Sequence, residues 1–550
     1  GRYSRSDAPD GEKVEKGGVA QWLRTRYWAS RADRPVYTCV GSGCDGGTTG
    51  IDLAAAGSNY VFQTDNTSLT AAMLGVGSST ERELVIRWIR GRQNVTSTNV
   101  VNESVARDQL GQAPDGVSVR PSIHGDVLHS RPVAINYGGT RGVVVYYGSN
   151  DGMLRAVNGN KTGSGAGSEM WSFVAPEHFA SLNRLRENDP QVRYPSTPAA
   201  VAGAIPRNYF FDGPIGAYQN TATNEVLLFP GMRRGGRGIY AFNVTNPDRP
   251  HLMWRINHTM ADYASLGQTW SMPRISRIKG STDPVLIMGA GYDPVAEDSS
   301  PAGASTVGRG VYVINMRTGA KLGFIATDYS VPADVSIVDS DGDGFVDRAY
   351  VVDVRAQVYR IDIENAAGEA RPTSDWVITK IAALNDGTGG TDGTRKVFFA
   401  PDLVLTRNYG AILFGTGDRE KPLTTTSNDR FFLVKDTRVA KGEPTSVTLI
   451  TEAALTMIGT DGATSDEQGC ALALATNGEK VINQPITFGG ITYFSTNRPL
   501  PPGPGSCTRS QSRAYQLPLV CQVPTYRNLI GDGLPPSPVE RLLCFLCLLW

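Results

Sequence analysis

The sequence predicts an all-β protein, a seven-bladed β-propeller with long insertions that follows a small, partly helical N-terminal cap. Three observations predict this fold class. The chain has 550 residues, more than the roughly 250 to 300 at which a single simple core stops growing. Its 62 glycines exceed the usual ~7% and favour many short strands joined by tight turns. A strand unit led by glycine also recurs along the chain.

The N-terminal cap is predicted to span residues 1–120. A helix is expected between Thr80 and Gly91, because Thr80 and Glu83 have the spacing of a capping box and apolar residues follow at helical spacing. A second helix is expected over about residues 19–28. Cys39 and Cys44 flank a short Gly/Ser loop, which predicts a small loop closed by a disulfide.

The propeller is predicted to span residues 121–538. Its repeat unit is a glycine-led turn, a strand of alternating apolar residues and a polar turn. The six equivalent positions are Arg155, Tyr240, Tyr312, Tyr359, Phe432 and Tyr515. They lie 47 to 85 residues apart, which leaves room for a blade of ~40 to 50 residues plus insertions. Strands near residues 133–147 are expected to complete a seventh, ring-closing blade, and an ordinary two-sheet sandwich is the alternative.

Composition and hydropathy exclude several classes of protein. The 53 Lys and Arg residues balance the 53 Asp and Glu residues, so no overall positive field attracts nucleic acid. The longest apolar run, Leu542 to Trp550, is too short for the ~20 residues of a transmembrane helix. This apolar tail, residues 539–550, is either a strand buried in the ring or an oddity of the sequence. Any signal peptide is expected to lie outside this sequence.

Seven cysteines are too few for a disulfide scaffold and suit an exported protein with a few local bridges. Besides the pair Cys39 and Cys44, one further bridge is expected among Cys470, Cys507 and Cys521, with one cysteine left over. The remaining two, Cys544 and Cys547, have no second pair at zinc spacing.

The sharpest motif is an acidic loop that predicts a calcium site. Carboxylates stand at positions 1, 3, 5 and 9, glycine stands at position 6, and a backbone carbonyl is due at position 7. The predicted ligands are Asp339, Asp341, Asp343, Phe345 and Asp347. Position 12 is Tyr350 rather than Glu, so we expect a calcium loop between two propeller strands rather than an EF-hand.

The charge of this loop predicts how it responds to calcium. Four like charges within nine residues repel one another unless a cation compensates them. Without metal we expect the loop to open and the neighbouring strand at residues 350–354 to loosen. The alternative, an acidic turn that binds no ion, would leave the repulsion uncompensated.

Two other polar segments have weaker signals. His124, Asp126 and His129 could hold a transition metal or act in catalysis, but a structural role tying the cap to the first blade is the favoured interpretation. The segment from Gly415 to Glu420 lacks the Gly-Lys-Ser/Thr ending of a phosphate loop. It is interpreted as a charged turn at a blade edge.

Quinoprotein dehydrogenases offer an enzymatic alternative, since they share a blade repeat and a calcium ion. The stretch Asn150–Ala156 and the later Trp171 are similar to those enzymes. Their cofactor site uses two adjacent cysteines, however, and this sequence has none. A third possibility is a propeller that binds carbohydrate or protein at a surface.

Several stretches together resemble the PilY-type proteins associated with the tips of bacterial type IV pili, in their C-terminal propeller region. These are residues 122–132, 147–154, 176–179, 231–243, 289–294, the acidic loop and 415–420. The resemblance covers roughly residues 15–538. It implies a modified seven-bladed propeller, one Ca²⁺ site and no enzymatic activity.

The resemblance also implies a place and a role. The protein would be exported through the periplasm to the cell surface or pilus tip, with minor pilins or other tip components as partners. It would support pilus biogenesis, twitching motility and adhesion to a surface or host cell. The von Willebrand A region typical of the family's N-terminal part is not in this chain, and no Arg-Gly-Asp triplet is present.

Overall fold

The structure, a computed structural model, describes twelve stretches of the chain. These are residues 18–26, 33–46, 50–92, 123–163, 165–193, 202–298, 303–385, 395–425, 427–459, 467–474, 478–500 and 510–529. Within them 29 strands form six sheets, which confirms the all-β class and excludes the two-sheet sandwich. Two compact units divide the chain, Gly1–Asn257 with Arg317–Gly319, and His258–Met316 with Ala320–Trp550.

The helices are few and short. They are α1 (Gly18–Arg26), α2 (Ser79–Ile89), α3 (Phe179–Glu187) and the single turn α4 (Pro294–Glu297). Helix α2 lies where it was predicted, but its cap is different. The Ser78 hydroxyl accepts the Glu81 N–H at 3.2 Å, and the Glu81 carboxylate accepts the Gly77 N–H at 3.0 Å. The prediction of a Thr80–Glu83 box was therefore wrong by two residues.

The first unit contains two five-stranded sheets. Sheet 1 has the order β1-β6-β5-β4-β3, and sheet 2 has the order β2-β10-β9-β8-β7. The strands are β1 (Val36–Tyr37), β2 (Ile51–Asp52), β3 (Val133–Asn136), β4 (Val143–Gly148), β5 (Met153–Asn158), β6 (Glu169–Val174), β7 (Ile215–Asn220), β8 (Glu225–Pro230), β9 (Gly238–Asn243) and β10 (His251–Asn257). The N-terminal segment thus supplies an outer strand to each sheet, β1 to sheet 1 and β2 to sheet 2.

The second unit contains the other four sheets. Their orders are β11-β12-β13-β14 (sheet 3), β15-β16-β17-β18-β22 (sheet 4), β19-β20-β21-β24-β23 (sheet 5) and β25-β27-β28-β29 with β26 also on β27 (sheet 6). The strands are β11 (Arg274–Ser276), β12 (Val285–Gly289), β13 (Gly310–Asn315), β14 (Lys321–Ala326), β15 (Ser336–Val338), β16 (Arg348–Val352), β17 (Gln357–Asp362), β18 (Val377–Ala383), β19 (Asp402–Leu405), β20 (Gly410–Gly415), β21 (Arg430–Asp436), β22 (Ile450–Thr451), β23 (Thr456–Ile458), β24 (Gly469–Ala473), β25 (Lys480–Val481), β26 (Ile486–Phe488), β27 (Ile491–Pro499), β28 (Ser510–Pro518) and β29 (Thr525–Asn528).

Each predicted repeat unit falls in a different sheet. The six equivalent positions lie in β5, β9, β13, β17, β21 and β28, which are inner strands of sheets 1 to 6 in chain order. Strands β3 and β4, at residues 133–148, pair with each other and with β5 in sheet 1. The expectation that they form a ring-closing blade of their own was wrong, and a count of seven blades stays a prediction.

The hydrophobic core of each unit lies between successive sheets. In the first unit, Tyr146 and Trp171 of sheet 1 pack in one cluster with Leu228 and Phe242 of sheet 2. In the second unit, one cluster joins sheets 3 and 4, another joins sheets 4 and 5, and a third joins sheets 5 and 6. Inner strands such as β16 and β20 are therefore buried along their whole length.

The described parts of the chain contain two disulfides, Cys39–Cys44 and Cys470–Cys521, and both predicted bridges are confirmed. The second joins β24 of sheet 5 to the chain just after β28 of sheet 6. The other three cysteines, Cys507, Cys544 and Cys547, lie outside the described residues.

Because four of the seven cysteines are bridged, we expect at most three free thiols in the denatured, unreduced chain. After reduction all seven should react with a thiol reagent. The bridge spanning 51 residues should contribute about 2 to 4 kcal/mol, because it restricts the unfolded chain. Seven reactive thiols without reductant would contradict both bridges and the inference of export through an oxidising compartment.

Two predicted boundaries cannot be placed. The cap boundary at residue 120 lies outside the described residues, and so does the apolar tail. None of the helices in the described parts of the chain is long and apolar enough to cross a membrane.

Candidate calcium site

The acidic loop is the hairpin between the first two strands of sheet 4. Strands β15 and β16 pair antiparallel, with Val338 opposite Arg348, and residues 339–347 connect them. Gly342 and Gly344 have φ angles of 76° and 88°, a region that favours glycine. The predicted position of the loop, between two strands of one sheet, is confirmed.

Asp339 organises the backbone of the loop. One carboxylate oxygen accepts the N–H groups of Gly342 at 2.7 Å and Asp343 at 3.2 Å, and the other accepts the N–H of Gly344 at 2.8 Å. These bonds curl the chain around the Asp339 carboxylate, and the carboxylates of Asp341 and Asp347 lie beside it.

Three of the predicted ligands converge. Carboxylate oxygens of Asp339, Asp341 and Asp347 lie within 4.8 Å of one another. Asp347 is only 4% exposed, and its Oδ2 accepts both the N–H and the hydroxyl of Ser340 at 2.7 Å. Its Oδ1 is buried and has no hydrogen-bond partner among the residues that the structure describes. A buried carboxylate oxygen without a donor is costly, and a bound cation would satisfy it.

The other two predicted ligands are placed differently. Asp343 is outside the convergent group, because its Oδ1 accepts the Phe345 N–H at 2.9 Å and its Oδ2 lies 2.7 Å from Lys279 Nζ. The ring of Phe345 packs under the Arg277 guanidinium at 4.5 Å. Ligation by Asp343 and by the Phe345 carbonyl therefore stays a prediction.

Two lysines and a buried glutamate complete the site, and the sequence motif gave no sign of them. Lys441 Nζ lies 2.6 Å from Asp341 Oδ2 and 3.6 Å from Asp347 Oδ2. Both Lys441 and Lys279 approach Glu364 at 3.0 Å. The expectation that the loop's repulsion is uncompensated without metal was wrong, because these two ammonium groups already offset part of it.

Each lysine and the aspartate beside it favour each other's charged form. A hydrogen bond from Lys441 lowers the pKa of Asp341, and one from Lys279 lowers the pKa of Asp343. Burial alone would lower the pKa of Lys441, but its bonds to Asp341 and Glu364 outweigh burial and raise it. Asp341, Asp343 and Lys441 are therefore each held in their charged form.

The donors fit a hard divalent cation. Such ions prefer carboxylate and carbonyl oxygens, and Ca²⁺ accepts flexible arrangements of six to eight of them. Asp339, Asp341 and Asp347 would hold the ion, and the buried Asp347 Oδ1 is the oxygen among these three side chains that no group in the described residues satisfies.

The histidine cluster does not converge on one point. His124 Nε2 lies 2.7 Å from Tyr147 Oη, and burial lowers the pKa of this histidine to about 4. His129 Nδ1 lies 2.7 Å from Asp212, whereas Asp126 pairs with Arg207 at 2.7 Å. Each of the three side chains has its own partner, and these partners lie after residue 120, so a tie between the cap and the first blade stays a prediction.

The segment from Gly415 to Glu420 is not the edge turn that was predicted. Asp418 is buried and lies 3.2 Å from the buried Lys396 Nζ, and the Arg419 guanidinium stacks over Phe399 at 4.7 Å. The charges belong to an internal network, which the sequence alone did not reveal.

The sheets and the acidic hairpin define a class, a propeller-type β protein with a candidate cation site. The family model described as the PilY1 β-propeller domain matches residues 130–419, more than half of the chain. The chain belongs to this family, which confirms the resemblance drawn from its motifs.

Named relatives are similar over part of their length. A type IV pilus biogenesis factor PilY1 homolog from Xylella fastidiosa is 27% identical over 323 residues, 52% of this chain and 24% of that protein. PilY1 of Pseudomonas aeruginosa is 28% identical over 350 residues, 58% of this chain and 26% of that protein. The chain thus spans about a quarter of these relatives. The crystal structure of the P. aeruginosa PilY1 C-terminal domain is 19% identical, with a TM-score of 0.49, covering 70% of this chain and 80% of that one.

Proposed function

We propose that this protein is the calcium-binding propeller part of a type IV pilus biogenesis factor and acts without catalysis. The observation that carries the proposal is the family match over residues 130–419. The relatives are named as biogenesis factors of type IV pili, and that role is extended here to this chain. It would reach the cell surface or pilus tip by export, for which the two disulfides are suited.

At that location the protein would bind minor pilins or other tip components and bias the pilus between extension and retraction. Twitching motility and adhesion to a surface or host cell would depend on the same assembly. A seven-bladed, modified propeller with the N-terminal residues as a cap is the architecture that the family leads us to propose.

Calcium binding is supported by the buried, unpartnered Oδ1 of Asp347 beside two further carboxylates. Calcium would act on a binding surface through this hairpin. A pilus partner that prefers the calcium-bound hairpin must, by linkage, raise calcium affinity by the same factor. The strand itself should not loosen, because β16 is buried throughout and Tyr350 donates to Asp436 at 2.9 Å.

Asp347→Asn is the variant that tests the site. Asparagine retains an acceptor for Ser340 but removes the charge, so the protein should stay folded while Ca²⁺ affinity falls by about 100-fold. Even residues that only orient metal ligands contribute ~10- to 100-fold. Calorimetry on chelator-treated protein should show wild-type binding with a dissociation constant of ~10⁻⁷ to 10⁻⁵ M.

The matched control is Asp262→Asn, since Asp262 is an exposed carboxylate paired with Lys321 at 2.8 Å. It should bind calcium as wild type does.

In cells that carry each variant in the natural gene, surface pili and twitching should change with Asp347→Asn only. A folded, calcium-free variant with normal pili and twitching would reduce the ion to a structural role. Normal piliation after deletion of the gene would contradict the proposed role in pilus biogenesis. Quinone-dependent dehydrogenase turnover by the purified protein would favour the enzymatic alternative.

A further inference from the structure

Lys279 and Lys441 each bridge one carboxylate of the acidic hairpin to the same buried acid. Lys279 Nζ lies 2.7 Å from Asp343 and 3.0 Å from Glu364. Lys441 Nζ lies 2.6 Å from Asp341 and 3.0 Å from Glu364. The two ammonium groups therefore make the same kind of bridge, each between one hairpin aspartate and Glu364.

These lysines are anchored more firmly than ordinary surface lysines. Lys279 comes from the loop between β11 and β12, and Lys441 from the connection between β21 and β22. Glu364, which follows β17, is 1% exposed. Lys279 also donates to the Gly368 carbonyl at 3.0 Å. Segments attached to sheets 3, 4 and 5 thus hold the two positive charges in place, whereas the hairpin belongs to sheet 4 alone.

The charge balance indicates that the two lysines compete with a metal ion for the hairpin carboxylates. Asp339, Asp341, Asp343, Asp347 and Glu364 carry five negative charges, and the lysines offset two of them. A dication approaching Asp341 meets Lys441 at the same carboxylate. The repulsion between the ion and each ammonium group then opposes binding.

We propose that Lys279 and Lys441 are built-in counter-ions that compete with calcium for the hairpin. They hold the hairpin together at low calcium and weaken its affinity for the ion. The inference rests on the calcium binding proposed above. It makes calcium a replaceable ligand of an already folded hairpin, and it places the affinity of the wild-type protein at the weak end of the range given above.

The test uses Lys441→Gln and Lys279→Gln in the 550-residue chain, with Lys321→Gln as control. Lys321 is a similarly exposed lysine that pairs with Asp262. Calorimetric titration with Ca²⁺ should give about three- to tenfold tighter binding for each hairpin variant, since charges of +2 and +1 some 6 Å apart in water repel by about one decade in affinity. The gain should shrink at high salt because screening weakens the repulsion. Lys441→Arg, which retains the charge, should bind as wild type does.

Thermal unfolding in excess chelator supplies the second measurement. Both glutamine variants should melt at a lower temperature than wild type there, because the hairpin carboxylates lose a counter-ion. Tighter calcium binding combined with lower stability in chelator is the signature of competition.

A lysine with only a structural role would lower the melting temperature without tightening calcium binding, and that result would overturn this inference alone. Unchanged melting in chelator would overturn it as well. Wild-type protein that binds no calcium would instead remove the proposed site, and the competition with it.

Discussion

Replacing Arg360 by methionine is expected to lower the free energy of unfolding by about 3 to 5 kcal/mol, the usual cost of removing one partner from a buried ion pair. Arg360 lies in β17 and is fully buried. Its guanidinium reaches Asp362 at 2.8 Å and Asp436 of sheet 5 at 3.0 Å. It also donates to the carbonyls of Ala440 and Gly442 at 3.0 and 2.8 Å. Without it, two carboxylates and two carbonyls in the interface of sheets 4 and 5 each lose one donor, and Asp436 keeps only its bonds from Tyr350 and Arg438.

The control is Arg274→Met, because Arg274 makes a partly exposed pair with Asp334 at 3.5 Å. Exposed pairs of this kind contribute about 0 to 1 kcal/mol. Chemical denaturation of both variants, followed by circular dichroism and by tryptophan fluorescence, gives the comparison. A loss below about 1 kcal/mol in Arg360→Met would mean that water or a rearranged loop replaces the guanidinium.

Features that depend on local sequence were predictable. The six strand units were found because each is a short pattern of glycine, apolar alternation and polar turn, and each lies in its own sheet. The convergence of Asp339, Asp341 and Asp347 was predictable for the same reason, since their spacing and two glycines define the loop without help from the rest of the chain.

Features that depend on distant parts of the chain were not predictable. Lys279, Lys441 and Glu364 reach the hairpin from three other connections, and no local pattern marks a lysine that will meet a carboxylate 64 or more residues away. The seventh blade was expected from strands that in fact extend sheet 1, because a sequence pattern identifies a strand but not its sheet.

One missed signal could have been read. Gly148, Gly289 and Gly415 are the last residues of β4, β12 and β20. Each of these strands lies next to an edge strand of its sheet, which is β3, β11 or β19. A Cβ at these positions would lie 2.0 Å from the Phe211 carbonyl oxygen, 2.3 Å from the Val331 carbonyl oxygen and 2.3 Å from a Val481 methyl group. The chain that leads into the following sheet, or a strand of that sheet, therefore lies so close to each glycine that no side chain would fit there. Recurring glycines after an apolar strand mark this close approach, and they explain why Gly415 opens an internal segment rather than an edge turn.

Glu169→Gln is expected to destabilise the first unit by about 3 to 5 kcal/mol, because two buried arginines share this carboxylate. Glu169, in β6, receives the Arg34 guanidinium at 2.7 and 2.9 Å and the Arg155 Nε at 2.9 Å. Arg34 also donates to the Ile89 carbonyl at the end of α2 at 3.2 Å. Through Arg34 this acid thus ties the N-terminal segment to sheet 1, in addition to the pairing of β1 with β6.

The pH dependence gives this prediction its sharpest form. Burial alone would raise the pKa of Glu169, but Arg34 and Arg155 outweigh burial and lower it. A carboxyl whose pKa is lower in the folded state stabilises the protein above its unfolded pKa of about 4.3, and this stabilisation is lost as the pH falls through the folded value. The difference between wild type and Glu169→Gln should therefore be constant near neutral pH and shrink in acid. Glu225→Gln, which removes the carboxylate paired with the exposed Arg317 at 2.6 Å, should cost less than about 1 kcal/mol. Equal losses in the two variants would show that the buried network does not hold the N-terminal segment to sheet 1.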